Sequence, residues 1–391
     1  MTPARQGAAV AIVGGGVMGA SVAYHLAALG QRDVVILDRA DRPGAGSTGR
    51  ATGGFRAQYA TAINVRLSLL AREKLRRFAD ETGVDSGYAP AGYLWLAASA
   101  AELESLRAGQ AVQHAEGLVE ATEVAPADIA RINPAIRLEG VAGGAFCPSD
   151  GFIRPLRILE GYLQAAARLG VRQLWDAEVR GLRRDRDGRI VEVETAHERL
   201  AVRAVVNAAG PWAASVAALA GVALPVTPLR RQIAATAPCD LLPADMPMTI
   251  WAGDGFHLRV RDGRVLLLWP TAGVPGRPFE ASVDPAWVDA VVAMANSRVP
   301  VLRHAAIDRL VCWAGLYEMS PDKHAILGPA EDCPNLFLIN GSSGHGVMHA
   351  PALGQLLAEI ICHGRAVSLD VSALAPGRFA AGKLNPVSEL L

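Results

Sequence analysis

At 391 residues, 51% apolar and 19% charged, the chain has room for roughly two or three domains with ample core, which excludes a disordered protein. Its 38 basic and 38 acidic residues give a formal net charge of 0, so the charge balance offers nothing to nucleic acid or to an anionic membrane. Five cysteines, Cys147, Cys239, Cys312, Cys333 and Cys362, form no C-x-x-C pair and sit in no His cluster, so neither a metal site nor a disulfide framework is expected and a reducing, cytoplasmic setting fits.

The apolar run Ala9 to Val13 predicts a buried parallel strand rather than the core of a signal peptide. Gly14, Gly16 and Gly19 follow in G-x-G-x-x-G spacing and open a helix over Val17 to Leu29, with Met18 in its first turn. In a dinucleotide site Gly14 makes the tight turn, Gly16 lets a pyrophosphate approach bare backbone, and Gly19 packs helix on strand. The helix N-terminus, with free N–H groups and a positive dipole end, is an anion site. A second strand, Val34 to Leu37, ends at Asp38 and Arg39, where the Asp38 carboxylate can accept ribose hydroxyls. These residues call for an ADP moiety and leave NAD and FAD equally open.

Ala40 to Ala60 is a Gly, Ser and Thr-rich loop able to wrap a ligand, and its Phe55, Arg56 and Tyr59 set it apart from a plain surface turn. A helix over Ala62 to Glu81 stops at Gly83. From Gly87 to Val141 a strand, GYLWLA, and an acidic helix near Ala101 to Ala115 read as an insertion outside the nucleotide domain. The chain returns to a helix opened by Pro155 and ended by Gly170, then to a hairpin around Asp187–Gly188. AVVNAAGPWA, Ala204 to Ala213, is strand, glycine turn and helix, a second approach to the cofactor. The uncharged stretch Ala204 to Leu229 carries Pro211, Pro225 and Pro228, which favours buried structure over a membrane span. Leu219 to about Leu316 reads as an antiparallel sheet with one helix over Pro285 to Val299, a natural substrate roof, with His257 and Trp251 of WAGDGFHLRV as candidate lining. CWAGLYEMSPDKHAILGP, strand NLFLIN, glycine turn GSSGHGVMHA and a helix from Pro351 to His363 close the chain. G-x-S-x-G does not occur, so a hydrolase nucleophile turn is missing.

VGGGVMGAS, STGRATGGFR, SDGFIRP, VVNAAGPWA and the pair GLYEMSPDKHAILG with NGSSGHGVMHAPALG together resemble the FAD-dependent amine and amino-acid oxidoreductases. That family includes glycine oxidase, D-amino acid oxidases and sarcosine oxidases, and the nearest likeness is to its sarcosine oxidase β-subunit-like and proline or dimethylglycine dehydrogenase branch. The resemblance implies a mixed α/β fold: a Rossmann-like FAD-binding domain, residues 1–86, 142–218 and 323–391, interleaved with a substrate domain on an antiparallel sheet, 87–141 and 219–322. It places Gly14, Gly16, Val17, Met18 and Gly19 at the pyrophosphate, and Asp38 and Arg39 at the ribose. Ser47, Thr48, Ala51, Thr52, Gly53 and Gly54 run inward to the flavin. Val179 meets the adenine through its backbone, and Ala209, Gly210 and Trp212 form the second approach. Gly315, Gly344, His345, Gly346, Val347 and Met348 lie against the isoalloxazine, where a helix N-terminus favours negative charge.

Three positions depart from the family pattern. Gly315 stands where monomeric sarcosine oxidases tether FAD through a cysteine, so the FAD is expected to be non-covalent. Tyr317 stands where glycine oxidase places a carboxylate-binding Arg, and Met348 where sarcosine oxidases place a Lys. Arg56 is the remaining carboxylate anchor, with Arg230 or Arg231 as substitutes from the roof, although an internal salt bridge to an acid of the next helix is a competing role for Arg56. His345 is expected as a polarising donor, and Tyr317 and His257 as further wall residues.

The implied activity is oxidation of a secondary amine or amino acid of sarcosine, proline or N-alkyl glycine type, by hydride transfer from Cα–H to N5 and hydrolysis of the imine. No Lys lies between Lys74 and Lys323, so the lysine that oxidases of this family place near N5 has no counterpart around Trp269, and an acceptor other than O2 is favoured. A partner subunit or homo-oligomer is compatible with this. Two competing readings are an NAD-dependent dehydrogenase using the same glycines and a redox-silent FAD-binding subunit of a larger complex.

Overall fold

The computed structural model describes residues 7–270 and 278–387. The expectations that touch residues 1–6, 271–277 and 388–391, at the N-terminus, within the roof segment and at the end of the last domain range, lie outside the described residues.

Strand Gly7–Val13 is the centre of the first sheet, parallel to Val34–Leu37 on one side and to Arg199–Asn207 on the other. Arg172–Leu174 extends it beyond the second strand, and Cys333–Asn340 with Ile326–Ala330 beyond the third. Alternation decides what each face buries: Val10 and Ile12 face the helices Val17–Ala28 and Gly346–His363, while Ala11 and Val13 face the layer that contains Leu182, Val193 and Ala217. The hairpin Val179–Arg184 and Ile190–Thr195 hangs from Arg199–Asn207.

The second sheet has eight strands, ordered Trp313–Met319, Thr227–Ala235, Arg264–Leu268, His257–Arg261, Met248–Trp251, Tyr93–Ala97, Gly143–Cys147 and Thr122–Val124. All pairs are antiparallel except Met248–Trp251 with Tyr93–Ala97, which is parallel, so the expected antiparallel sheet is a mixed one. Pairing also brings Gly143–Cys147 into this sheet, across the expected boundary at residue 142. One face packs Leu94, Leu258 and Leu267 against the helix Pro285–Arg298, and the other turns Tyr93, Met248 and Ile250 toward the first sheet.

Two helix limits differ from expectation. Ala62 to Glu81 is two helices, Ala62–Arg76 and Phe78–Thr82, because Arg77 leaves helical geometry (φ −98°, ψ 7°). The last helix starts at Gly346, five residues before the expected Pro351, and runs through that proline. Pro351 lacks only the amide that would bond the Val347 carbonyl, one turn from the helix start, so the loss is a single hydrogen bond. Among the described residues no helix is long and apolar enough to cross a membrane.

Candidate active site

A cavity of about 730 Å³ runs between the sheets. At one end its wall is Gly14, Gly15, Gly16 and Asp38; at the other it is Arg56, His257, Tyr317 and Gly344 to Met348. Of the residues expected at the cofactor or substrate, all line this one cavity except Gly19, Arg230 and Trp251. Gly19 lies off it because its work is packing: a Cβ there would run into the Gly14 carbonyl oxygen.

The nucleotide end is built from the turn after the first strand. Asp38 accepts the Gly15 N–H through Oδ2 at 2.6 Å and the Ala40 N–H through Oδ1 at 2.8 Å, which fixes its carboxylate at the cavity wall. Each oxygen has a second lone pair with which to accept a sugar hydroxyl. The Thr48 hydroxyl accepts the Val17 N–H at 3.1 Å, while the next amides of the helix face the cavity without intrahelical partners. Gly16 has an extended backbone (φ −71°, ψ −178°), and a Cβ added there would find only Thr48 Oγ1, at 3.4 Å. That open space before bare backbone fits a pyrophosphate. Arg39 lies over the Trp212 ring at 3.7 Å, and Trp212 stacks on Phe279 at 5.5 Å, making a flat wall beside Val179 and Gly210.

The inner loop is clamped from outside, by contacts that sequence reading missed. The Arg259 guanidinium donates to the carbonyls of Thr52 and Gly53 at 2.8 and 2.9 Å, and Arg261 to that of Ala51 at 3.1 Å. Burial pushes the Arg259 pKa down to about 9. Ser47 donates to the Leu316 carbonyl at 2.7 Å, and Arg50 and Trp313 exchange bonds with each other's strand and loop. Alternating long basic residues on a roof strand, His257–Arg261, were the available signal.

Past this clamp, the Asp150 carboxylate accepts the Ala57 N–H at 2.7 Å and Gln58 Nε2–H at 3.2 Å, so the chain turns Arg56 into the cavity. Burial raises the Asp150 pKa to about 6, against the pull of those hydrogen bonds. Arg56 is 5% exposed, with its guanidinium carbon 4.5 Å from the centre of the Tyr59 ring and 5.0 Å from that of Trp95. Its Nη2 lies 3.2 Å from His345 Nε2. A guanidinium has no acceptor, so Nε2 accepts and the ring proton sits on Nδ1. Burial, then the charge of Arg56, hold the His345 pKa well below the ordinary histidine value, so the ring is neutral and a donor at most. The Asp150 charge acts on Tyr59, the ring beside Arg56, and the Arg56 charge acts on Asp150.

His345 caps the helix Gly346–His363, after Gly344 takes a left-handed turn (φ +96°) with the Tyr317 ring pressed beside it. The amides of Gly346, Val347 and Met348 therefore point a positive dipole end at the cavity, suited to an electron-rich ring. Tyr317 is 36% exposed, on the face that lines the cavity. His257 donates Nδ1–H to the Gly255 carbonyl at 2.8 Å, and burial lowers its pKa to about 4. Trp251 points the other way, onto Phe256 and the helix Pro285–Arg298, because strand alternation gives the cavity to its neighbours Met248 and Ile250.

Three wall residues were not foreseen as such or stood only as substitutes. Arg231 faces the cavity, whereas Arg230 lies off it and donates to the Ser282 carbonyl and hydroxyl. Lys323, with left-handed backbone (φ +58°), reaches the wall and acts electrostatically on His345. Glu318 lines the cavity, and burial pushes its carboxyl up to about 7.

The family model described as "FAD dependent oxidoreductase" (DAO) matches residues 9–360. Mitochondrial dimethylglycine dehydrogenase of Rattus norvegicus is 30% identical over 392 aligned residues, covering 94% of this chain and 44% of the relative. The chain thus spans less than half the length of that relative. Glycine oxidase of Geobacillus kaustophilus is 28% identical over 90% of this chain and 92% of its own. Among solved structures, L-proline dehydrogenase from P. horikoshii superposes with a TM-score of 0.90 at 26% identity, covering 98% of this chain and 100% of the other.

Proposed function

We propose, for a chain that belongs to the DAO family of FAD-dependent oxidoreductases, that its substrate is a small amino acid or secondary amine of the sarcosine, proline or N-alkyl glycine type, oxidised at the carbon bearing the nitrogen. The observation that carries this reading is the single cavity, which joins an ADP-shaped end at Gly16 and Asp38 to a cationic, aromatic end at Arg56, Tyr317 and His345. FAD, when bound, supplies the hydride acceptor for the oxidation.

The chain's own residues supply orientation and charge. Arg56 takes a substrate carboxylate while Tyr59 and Trp95 hold its plane. His345 offers Nδ1–H rather than a basic nitrogen. Arg56, Arg231 and Lys323 together disfavour an ammonium ion nearby and hold the substrate amine neutral, the form able to release a hydride. Loss of that hydride and of the N–H proton leaves an imine, which water hydrolyses to a carbonyl and an amine, released as two molecules from an open-chain substrate and kept in one molecule when the nitrogen is in a ring. Met348, buried and accepting the Tyr59 hydroxyl at 3.2 Å, supports the wall without charge. The strand that ends at Leu268–Trp269 brings no lysine, which supports an acceptor other than O2.

Mixing the holoenzyme without oxygen with a panel of amino acids and N-methyl amino acids, and identifying the products by mass spectrometry, tests the reading. One carbonyl product per FAD is expected; an unchanged panel overturns it. Mixing the reduced enzyme with air then reads the acceptor, and rapid reoxidation removes the preference for a dehydrogenase.

A further inference from the structure

Two guanidinium groups bracket the roof end of the cavity. Arg56 enters from the inner loop, held on His345, Tyr59 and Trp95. Arg231 enters from strand Thr227–Ala235, its guanidinium carbon 5.8 Å from the centre of the Tyr317 ring. Among the described residues, the Arg231 guanidinium has no carboxylate or carbonyl acceptor. Burial lowers its pKa, and the neighbour that counters this is the Tyr317 phenol rather than an acid. Both guanidiniums act on Tyr317, Arg231 the more strongly, and both act on His257, Arg56 the more strongly. Arg231 stands on Thr227–Ala235, and Trp95, over which Arg56 lies, stands on Tyr93–Ala97, four places away in the sheet with the strand of His257 between them; Met248 and Ile250 make the wall there apolar.

The remaining charged groups here are Lys323 and Glu318. Glu318 turns Oε1 to the Ser342 N–H at 3.4 Å, and its buried Oε2 has no hydrogen-bond partner. It thus leans on the Ser342 turn rather than toward Arg231. A half-buried guanidinium without an acceptor is costly, and the cost is recovered only when a ligand brings an anion to it. At about 4.8 Å between neighbouring strands, the strands of Arg231 and Trp95 lie roughly 19 Å apart, so two separate anions match the two cations better than one.

We propose that the substrate is an N-substituted amine with two carboxylates, one held by Arg56 and the other by Arg231. This rests on the amine-oxidising reading above and narrows its substrate class: the site selects dicarboxylic substrates over sarcosine or proline.

The test compares ligands on the holoenzyme. Thiodiacetate and (methylthio)acetate, which carry no oxidisable amine, are titrated against the flavin absorbance, and iminodiacetate and N-methylglutamate are compared with sarcosine in anaerobic flavin reduction. The dicarboxylates are expected to bind and react at least about tenfold better, one charged contact's worth. Arg231→Gln is expected to bring that ratio to within about threefold of unity, and Arg231→Lys to keep part of it. A wild-type ratio near one overturns the proposal, as does a ratio that Arg231→Gln leaves unchanged. Loss of FAD from Arg231→Gln with the ratio intact also overturns it, by assigning the guanidinium to the cofactor. If Arg231→Gln does not fold, the wild-type ratio decides alone. If no amine reduces the flavin, the amine-oxidising reading fails while the two thioether affinities still report on Arg231.

Discussion

Arg56→Met isolates what the inner-loop guanidinium contributes. Methionine keeps an apolar stem between Tyr59 and Trp95, which flank Arg56 at 4.5 and 5.0 Å, and removes the donor to His345 Nε2. A hydrogen bond to a charged group contributes about 1.5–3 kcal/mol. At 1.36 kcal/mol per tenfold, kcat/KM for a carboxylated amine falls about 12- to 150-fold. The same substitution removes the second of the influences that hold the His345 pKa down, leaving burial as the main one. His345 then becomes more basic, and the acid limb of the pH profile for kcat/KM moves upward. Steady-state assays across pH, with a carboxylated amine and its decarboxylated analogue, read both effects. The analogue, lacking the anion, loses much less. A carboxylated substrate retained within about threefold, with an unmoved pH profile, refutes the assignment of Arg56 to the carboxylate.

Gly16→Ala is expected to leave the apoprotein's stability within about 1 kcal/mol, since the backbone is extended and the nearest atom to the new Cβ is Thr48 Oγ1 at 3.4 Å, yet to raise the Kd for FAD at least about tenfold; flavin fluorescence titration checks it. Asp322 and Arg378 form an ion pair whose side chains are 0% and 3% exposed; burial opposes the Asp322 charge, but Arg378 outweighs it and holds the carboxyl well below the usual range. Arg378→Met leaves that carboxylate its hydrogen bonds from Asn385, Ser320 and His324 but no counter-charge, and costs about 3–5 kcal/mol by denaturant unfolding, with part recovered on adding Asp322→Asn. His25 and His349 are buried with pKa values lowered to about 3, and His257 to about 4. Below the unfolded value of about 6.5 the unfolded chain binds protons that these native rings refuse, so stability falls as pH drops from there toward 4. Asp150 and Glu318, raised to about 6 and about 7, work in the opposite sense and offset part of the loss. Apoprotein unfolding by denaturant at a series of pH values reads the net slope.

The nucleotide end was legible because its parts are close in sequence. Strand, glycine turn, helix and Asp38 fall within residues 7–38, and their chemistry follows from spacing. The substrate end was legible only as a set of candidates, because its geometry joins residues far apart. Arg56 meets His345 across 289 positions, and Arg259 reaches Thr52 across 207. No local pattern announces such pairs. Trp251 was misplaced by strand phase: a one-residue choice separates the cavity face of Met248 and Ile250 from the helix-packed face. Pro351 misled as a helix start because its local rule yields to the packing of a buried helix one turn from its N-terminus. Lys323 reached the cavity from a turn between strands, and the glycine-like backbone of that turn left no mark in the sequence.

The central claim is that this cavity brings a small amine to FAD. Anaerobic addition of amino acids and secondary amines to the yellow holoenzyme, followed by absorbance, tests it most directly. Members of this substrate class are expected to bleach the oxidised flavin band, dicarboxylic amines foremost. A flavin that stays yellow with every amine, in a protein that binds FAD normally, contradicts it.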